Sequence, residues 1–336
     1  MYCIMNNFDN DVMVSINCIT YNHEKYIKEA LEGFLMQKTN FKYEILIHDD
    51  ASTDNTANII KEYEKKYPKI IKPIYQKENQ RSKGIKINFE FNYKRSKGKY
   101  IAFCEGDDYW TDPYKLQKQV DFLESHKDFS MCFHSIENID EDGNILNYKY
   151  WPDNTRTKEI TTLTDILKAN YIATASVVFR NNLINYDDYE NLTKDLWFGD
   201  WVFHILNAKK GPIYFINQNM GVYRVTNNGL NKSTDTLKKL EDVLEFYKRL
   251  ERYFDDEKIK NDLKKYILQK KIELFVEYTK IKNFEKAESI LKDIRKRDLV
   301  FKAGPKRNLK LMLAKFFPDK YEKILINYRK LRGIKE

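Results

Sequence analysis

Three short apolar runs, at residues 12–20, 43–50 and 99–104, each end in a cluster of polar side chains, and stretches of helical periodicity separate them. Strands that alternate with helices pair in parallel, because a parallel neighbour can be reached only through a crossover. The expected elements are a βα unit running to Gln37, a second with its helix over 55–66 capped by Ser52, Thr53 and Asp54, and a third strand at 70–75. A helix at 85–95 then leads into the strand at 99–104. Asp112-Pro113 opens a helix to His126 whose apolar positions are Leu116, Val120 and Leu123. Beyond residue 127 the pattern predicts strands at 129–136, 173–180 and 213–216, helices at 161–169 and 199–210, and a hairpin turning at Asp142-Gly143-Asn144. The fold class is α/β, with a Rossmann-like mixed sheet flanked by helices.

From about 235 the text becomes Lys/Glu/Leu/Tyr-rich with helical periodicity up to Gly304-Pro305. This divides the chain of 336 residues into an α/β domain over 1–230 and an α-helical appendage over 231–336. The net charge of +9 belongs to the second part: 30 of the 59 Lys+Arg but 18 of the 50 Asp+Glu lie in 231–336, leaving −3 in 1–230 and +12 in the tail. A basic segment suits an anionic membrane surface or a phosphorylated acceptor, and no recognition motif for nucleic acid interleaves with it. No signal-peptide pattern and no apolar run long enough to span a bilayer is visible, so a cytoplasmic protein, peripheral at the inner face of the membrane, is expected. Cysteines at 3, 18, 104 and 132 lack metal spacing, and three of them fall in strand candidates, where a thiol packs as a small hydrophobe.

The chemistry concentrates at the strand ends. Glu105-Gly106-Asp107-Asp108 places three carboxylates at the mouth of a buried strand, and such a cluster asks for magnesium or manganese bridging to a phosphate. The competing reading is a helix-start cluster ahead of Asp112-Pro113. Thr20-Tyr21-Asn22 and Asp49-Asp50 end the first two strands on the same predicted sheet edge. With 11 glycines there is no GxxxxGK[ST] loop and no GxGxxG after the first strand, which argues against an NTPase or a dehydrogenase. No serine or cysteine sits in an elbow-type sequence, and His23, His134 and His204 read as structural or binding residues.

In the order Thr20-Tyr21-Asn22, Asp49-Asp50-Ala51-Ser52-Thr53-Asp54, Glu105-Gly106-Asp107-Asp108, the chain resembles the family 2 inverting glycosyltransferases of the GT-A fold, of the bacterial surface-polysaccharide type, over roughly residues 12–230. The resemblance implies that Thr20, Tyr21, Asn22 and Asp50 meet a nucleotide, with Asp50 accepting from the base or ribose. Asn79, Gly84 and Asn88 fit the family's loop beside it. Asp107, with Glu105 or Asp108, would hold a divalent metal, Mn2+ or Mg2+, on the donor diphosphate, with Gly106 in the same turn. Asp200, in Trp197-Phe-Gly-Asp-Trp201, matches the family's acidic motif and is the candidate general base, kept ionised by its helix start. The alternative reading of Asp200 is a capping residue, and Asp195 is the second candidate base. Tyr223-Arg224 resembles a Tyr-Arg-x-His segment in which Arg224 would reach the diphosphate, with Thr226 where histidine is usual. The tryptophans at 110, 151, 197 and 201 could stack on a sugar or pack in the core, and Trp197 and Trp201 would share a helix face if both are helical.

The expected activity is metal-dependent inverting transfer of a sugar from a nucleotide-diphosphate sugar, UDP-sugar favoured, to the hydroxyl of a glycan or lipid-linked glycan in cell-surface polysaccharide synthesis. Two alternatives stand beside it: a noncatalytic nucleotide-sugar-binding or scaffold protein acting through the basic tail, and a nucleotidyltransferase, which usually displays a glycine-rich basic loop that this sequence lacks.

Overall fold

The computed structural model describes residues 12–146, 158–226 and 235–294. The chain divides into two compact units, Met1–Ser233 and Thr234–Glu336.

The first unit is built on a nine-stranded mixed sheet. Its parallel half contains β1 (Val14–Thr20), β2 (Tyr43–Asp49), β3 (Ile71–Tyr75) and β4 (Tyr100–Phe103), in the spatial order β3-β2-β1-β4. The chain leaves β1 toward β2 and β3 and returns to place β4 on the other side of β1. A crevice therefore opens beyond the carboxyl ends of β1 and β4, as at any such reversal of strand order. β1 is buried along nearly its whole length, which accounts for its predominantly apolar sequence. Its polar residues are paired: Ser15 donates to Glu44 at 2.7 Å, and the Asn17 side-chain oxygen accepts from Ser96 at 3.1 Å.

The helices α1 (Ile27–Leu35) and α2 (Thr56–Lys66) make the crossovers. α1 buries Ile27, Ala30, Leu31 and Phe34, the i, i+3, i+4, i+7 stripe of an amphipathic helix. α3 (Lys115–Ser125) buries Leu116, Val120 and Leu123 in the same way. It also buries Lys115 completely, with its ammonium 3.9 Å from the centre of the Trp110 ring.

The antiparallel half adds β5 (Tyr109–Trp110), β6 (Met131–Ile139), β7 (Ile160–Thr161), β8 (Val178–Arg180) and the long β9 (Ile213–Arg224). β8 joins the halves, antiparallel to both β4 and β6, while β9 runs parallel to β6 and receives β5 and β7 as antiparallel partners. The helices here are α4 (Leu163–Ile166), α5 (Tyr186–Thr193) and α6 (Asp200–Ala208).

Three expectations change. The helix at 85–95 is instead a π turn, Asn88–Asn92, followed by a 3-10 turn, Tyr93–Arg95. The Asn92 amide donates to the Cys18 carbonyl at 2.9 Å and Arg95 to the Ile47 carbonyl at 3.0 Å, so the strands dictate the local winding. The helix at 161–169 shortens to the four residues of α4, and the strand at 173–180 to a 3-10 turn plus β8. Cys18, Cys104 and Cys132 are free and buried; Cys3 and Trp151 lie outside the described residues.

In the second unit the described residues form α7 (Thr236–Tyr253), α8 (Glu257–Lys280) and α9 (Phe284–Lys292). Asp235 and Asp256 cap α7 and α8 by accepting from first-turn N–H groups. Residues 295–336, outside the described range, hold 14 of the tail's 30 basic residues and 4 of its 18 acids, so +10 of its net charge of +12 lies there.

Candidate active site

The turn after β1 and the acidic loop after β2 are stitched into one piece. Asn22 sits at φ 55°, in the left-handed region that asparagine tolerates better than most residues. Its side-chain oxygen accepts from the Thr53 N–H at 2.8 Å, and its own N–H donates to Ser52 Oγ at 2.9 Å. The His23 N–H donates to Thr56 Oγ1 at 2.8 Å. Asp50 is buried, and its carboxylate accepts from the backbone N–H groups of Gln80 at 2.8 Å and Arg81 at 3.1 Å. Asp50 thus shapes the loop that follows β3, and its carboxylate still has lone pairs for a ligand.

At the end of β4, Gly106 leaves the sheet under the β1 turn. A Cβ there would stand 2.7 Å from Thr20 Oγ1, so only glycine lets the two strand ends approach this closely. Glu105 and Asp107 are half-buried and face the crevice, whereas Asp108 is fully buried and faces away. The Asp108 carboxylate accepts from the Arg224 N–H at 2.9 Å, and burial, then the charge of Asp107, raises its pKa. Asp108, the other expected metal ligand, lines neither cavity described below, and its second carboxylate oxygen is buried with no hydrogen-bond partner among the described residues. The Glu105 pKa is likewise raised, by burial and then by Asp107, with Arg81 opposing. Asp107 Oδ1 is buried without a hydrogen-bond partner among the described residues, and Oδ2 lies 3.8 Å from His23 Nε2.

Arg224 is held between α1 and the acidic turn. Its guanidinium pairs with Glu29 at 2.6 Å, donates to the Asp107 carbonyl at 3.1 Å and stacks 4.4 Å from the Tyr26 ring. Although it borders the smaller cavity, its donors brace α1 against the acidic turn.

Asp200 is the first residue of α6, behind Gly199. A Cβ on Gly199 would collide with the Tyr189 hydroxyl at 2.3 Å. The pKa of Asp200 is raised, because burial outweighs the hydrogen bonds from Trp201 and Asn170. The expectation that the helix start keeps Asp200 ionised leaves out this burial, which acts in the opposite direction. Asn170 donates to Asp200 at 2.8 Å. Trp197 precedes the helix and borders the cavity, while Trp201 is buried with its indole N–H on the Ile166 carbonyl at 2.8 Å, so the two do not share a helix face. Trp110 is likewise core, donating to the Ala175 carbonyl at 2.8 Å. Asp195 is exposed and lines neither cavity.

Two adjoining cavities result. A cleft of about 980 Å³ is bordered by Thr20, Tyr21, Asn22, Asp50 and Asn79, and a chamber of about 160 Å³ by Asn88, Trp197 and Asp200. Arg81, Glu105 and Asp107 border both. The strand ends read from the sequence thus meet in one place. Gly84, at φ 84°, instead closes an exposed turn away from both cavities. Sequence reasoning missed Arg81, whose guanidinium donates to the Trp197 carbonyl at 3.1 Å, and Lys86, which donates to the Leu196 carbonyl. The available signal was a cation-rich loop after the third strand, with Lys77, Arg81, Lys83 and Lys86.

Among the described residues no three His, Cys, Asp or Glu side chains converge as a metal cage. The unpartnered, buried oxygen of Asp107 beside Glu105 nonetheless fits a magnesium- or manganese-like ion, which is commonly held by one or two carboxylates together with substrate phosphates.

Among the described residues no helix is long and apolar enough to cross a membrane. An uncharacterized protein of Mycobacterium tuberculosis (strain H37Rv) is 39% identical over 223 residues, 66% of this chain and 62% of that protein, so the match spans less than two thirds of the relative's length. A crystal structure of Staphylococcus aureus TarS (residues 1–349) in complex with UDP-GlcNAc superposes with a TM-score of 0.69 at 19% identity, covering 95% of this chain and 92% of that one. The mannosyltransferase PcManGT of Pyrobaculum calidifontis, in complex with GDP-Man and Mn2+, gives a TM-score of 0.53 at 15% identity, covering 92% and 82%. These likenesses identify the mixed sheet and its flanking helices as a GT-A glycosyltransferase fold. The family model for glycosyl transferase family 2 matches residues 15–187, about half of the chain, and the protein belongs to that family.

Proposed function

We propose that this glycosyltransferase binds a nucleotide-diphosphate sugar, UDP-sugar by preference, in the larger cleft and transfers the sugar with inversion to an acceptor hydroxyl in the chamber. The observation that carries the reading is the shared wall: Asp107, with its unpartnered oxygen, and Asp200 border the same small chamber. In this reading Tyr21, 44% exposed at the cleft mouth, offers a ring to the base, and Asp50 accepts from base or ribose. Arg81 reaches the diphosphate, and Glu105 and Asp107 present carboxylates where the diphosphate departs. A divalent cation bound there would neutralise charge that grows on the leaving group. Asp200 takes the acceptor hydroxyl's proton as its oxygen attacks the anomeric carbon. Its raised pKa suits that role, since a base with higher proton affinity gives a stronger driving force once ionised. The nucleotide sugars bound by TarS and PcManGT, one of them with Mn2+, support the donor class and the metal.

We extend the proposal to a glycan or lipid-linked glycan acceptor at the inner face of the membrane, with the basic 231–336 segment meeting anionic lipid. Calorimetric titration with UDP, GDP and dTDP, each with and without Mn2+, tests the donor class. Manganese-dependent binding of UDP alone is the expected outcome. Failure of all three to bind would favour a noncatalytic protein.

A further inference from the structure

The side chain of Asn170, in the loop between α4 and β8, stands between two residues one turn apart on α6. Its amide nitrogen donates to Asp200 Oδ2 at 2.8 Å, and its amide oxygen faces His204 Nδ1 at 3.1 Å. The Ile172 N–H also points at that oxygen, at 3.4 Å. An amide has one donating and one accepting end, and here both are assigned by neighbours. The Ile172 N–H can only donate, so it requires the oxygen on its side, and an ionised Asp200 can only accept. The opposite orientation would set the amide oxygen against a carboxylate.

His204 completes the arrangement. It is wholly buried, and burial lowers its pKa to about 3, so the ring is neutral. A neutral ring facing the Asn170 oxygen carries its proton on Nδ1, and its Nε2 is then a bare acceptor, buried with no hydrogen-bond partner among the described residues. The loop itself is fixed to α6, because the Trp201 indole donates to the Ile166 carbonyl at 2.8 Å.

We propose that Asn170 is a positioning residue for Asp200, its amide locked by the His204 imidazole and the Ile172 N–H so that it always presents a donor to the carboxylate. The proposal rests on Asp200 being the base, and it adds what aims that base and tunes its proton affinity. The other groups facing Asp200 are Glu105 from the end of β4, Arg81 from the loop after β3 and Tyr189 from α5, and all remain in the variants below. A donor held on the charged carboxylate favours ionisation, so its removal raises the pH at which Asp200 loses its proton.

The test follows that proton directly, in full-length protein carrying 13C at aspartate side-chain carboxyls. The Asp200 resonance is identified by its loss in Asp200→Asn. Asn170→Ala and the near-isosteric Asn170→Leu should each raise the titration midpoint by about one pH unit. Asn170→Ser, which keeps a donor, should restore part of the shift, and His204→Leu should move the midpoint the same way by less. Manganese-dependent UDP affinity should stay within about twofold in all of them. An unchanged midpoint in Asn170→Ala and Asn170→Leu would overturn the proposal. Release of UDP from UDP-N-acetylglucosamine by Asp200→Asn tests the underlying reading separately. Wild-type turnover there removes Asp200 as base, whereas lost turnover with an unmoved Asn170 midpoint removes only the positioning role.

Discussion

Arg81 donates its guanidinium to the carbonyl of Trp197 at 3.1 Å, joining the loop that borders the larger cleft to the turn that presents Asp200. The two residues are 116 positions apart, and one side chain ties the two halves of the site together.

Replacing Arg81 by Ala should weaken UDP binding about tenfold to a hundredfold, the worth of a charge-assisted hydrogen bond of roughly 1.5–3 kcal/mol. Arg81→Lys should recover only part of this, since an ammonium cannot serve carbonyl and phosphate with the same planar fork. Calorimetry with UDP and Mn2+ reads both; wild-type affinity in Arg81→Ala would place the diphosphate elsewhere.

Asp107→Ala should abolish manganese-dependent nucleotide binding. Asp200→Asn should bind UDP normally and lose transfer by about a hundredfold or more, the usual contribution of a general base. Binding and turnover measured on the same preparations separate the roles, because a general loss of folding would depress both variants in both assays.

Arg224→Met should lower the melting temperature, with a loss of about 1–3 kcal/mol, because the Arg224 side chain, which also donates to the Asp107 carbonyl, is buried although its Glu29 partner is exposed. It should change UDP affinity far less than Arg81→Ala does. If the ranking were reversed, Arg224 would be a phosphate ligand after all and the Glu29 pair incidental.

Lys115 gives a stability prediction with a definite sign in pH. Burial lowers its pKa to about 7 from an ordinary 10.5, so between those values the unfolded chain binds the proton that the folded protein has lost. Unfolding then takes up a proton, and stability rises with pH across that window. Lys115→Met should stabilise the protein by about 1–3 kcal/mol at pH 6 and lack this rise, with the two proteins converging near pH 10. Thermal melts at several pH values check it; parallel curves would mean that Lys115 keeps its proton over the Trp110 ring.

The parallel half of the sheet was readable because strands buried on both faces are predominantly apolar, as 14–20 and 43–49 are apart from a few polar residues such as Ser15, Asn17 and Glu44. β5 was not, since two residues carry no periodicity and their partners, Val222 and Gly221, lie more than 100 positions away. α5 escaped because Tyr186-Asp-Asp-Tyr-Glu-Asn-Leu-Thr193 has too few apolar positions to show a stripe. At the site, strand-end chemistry pointed to Asp50, Glu105 and Asp107 and the family resemblance to Asp200, and all four border the two cavities. Adjacency in sequence could not tell Asp107 from Asp108, because the turn sends one to the crevice and the other to the backbone of Arg224. Nor could it show that Arg224 is spent on Glu29 while Arg81 faces both cavities, since both facts depend on where distant elements dock.

Because Arg81, Glu105 and Asp107 belong to both cavities, an occupant of the cleft finishes the wall of the chamber. An acceptor arriving first would meet an unfinished surface, so donor should enter before acceptor and the spent nucleotide should leave last. Steady-state kinetics would then show UDP competing with the donor but not with the acceptor.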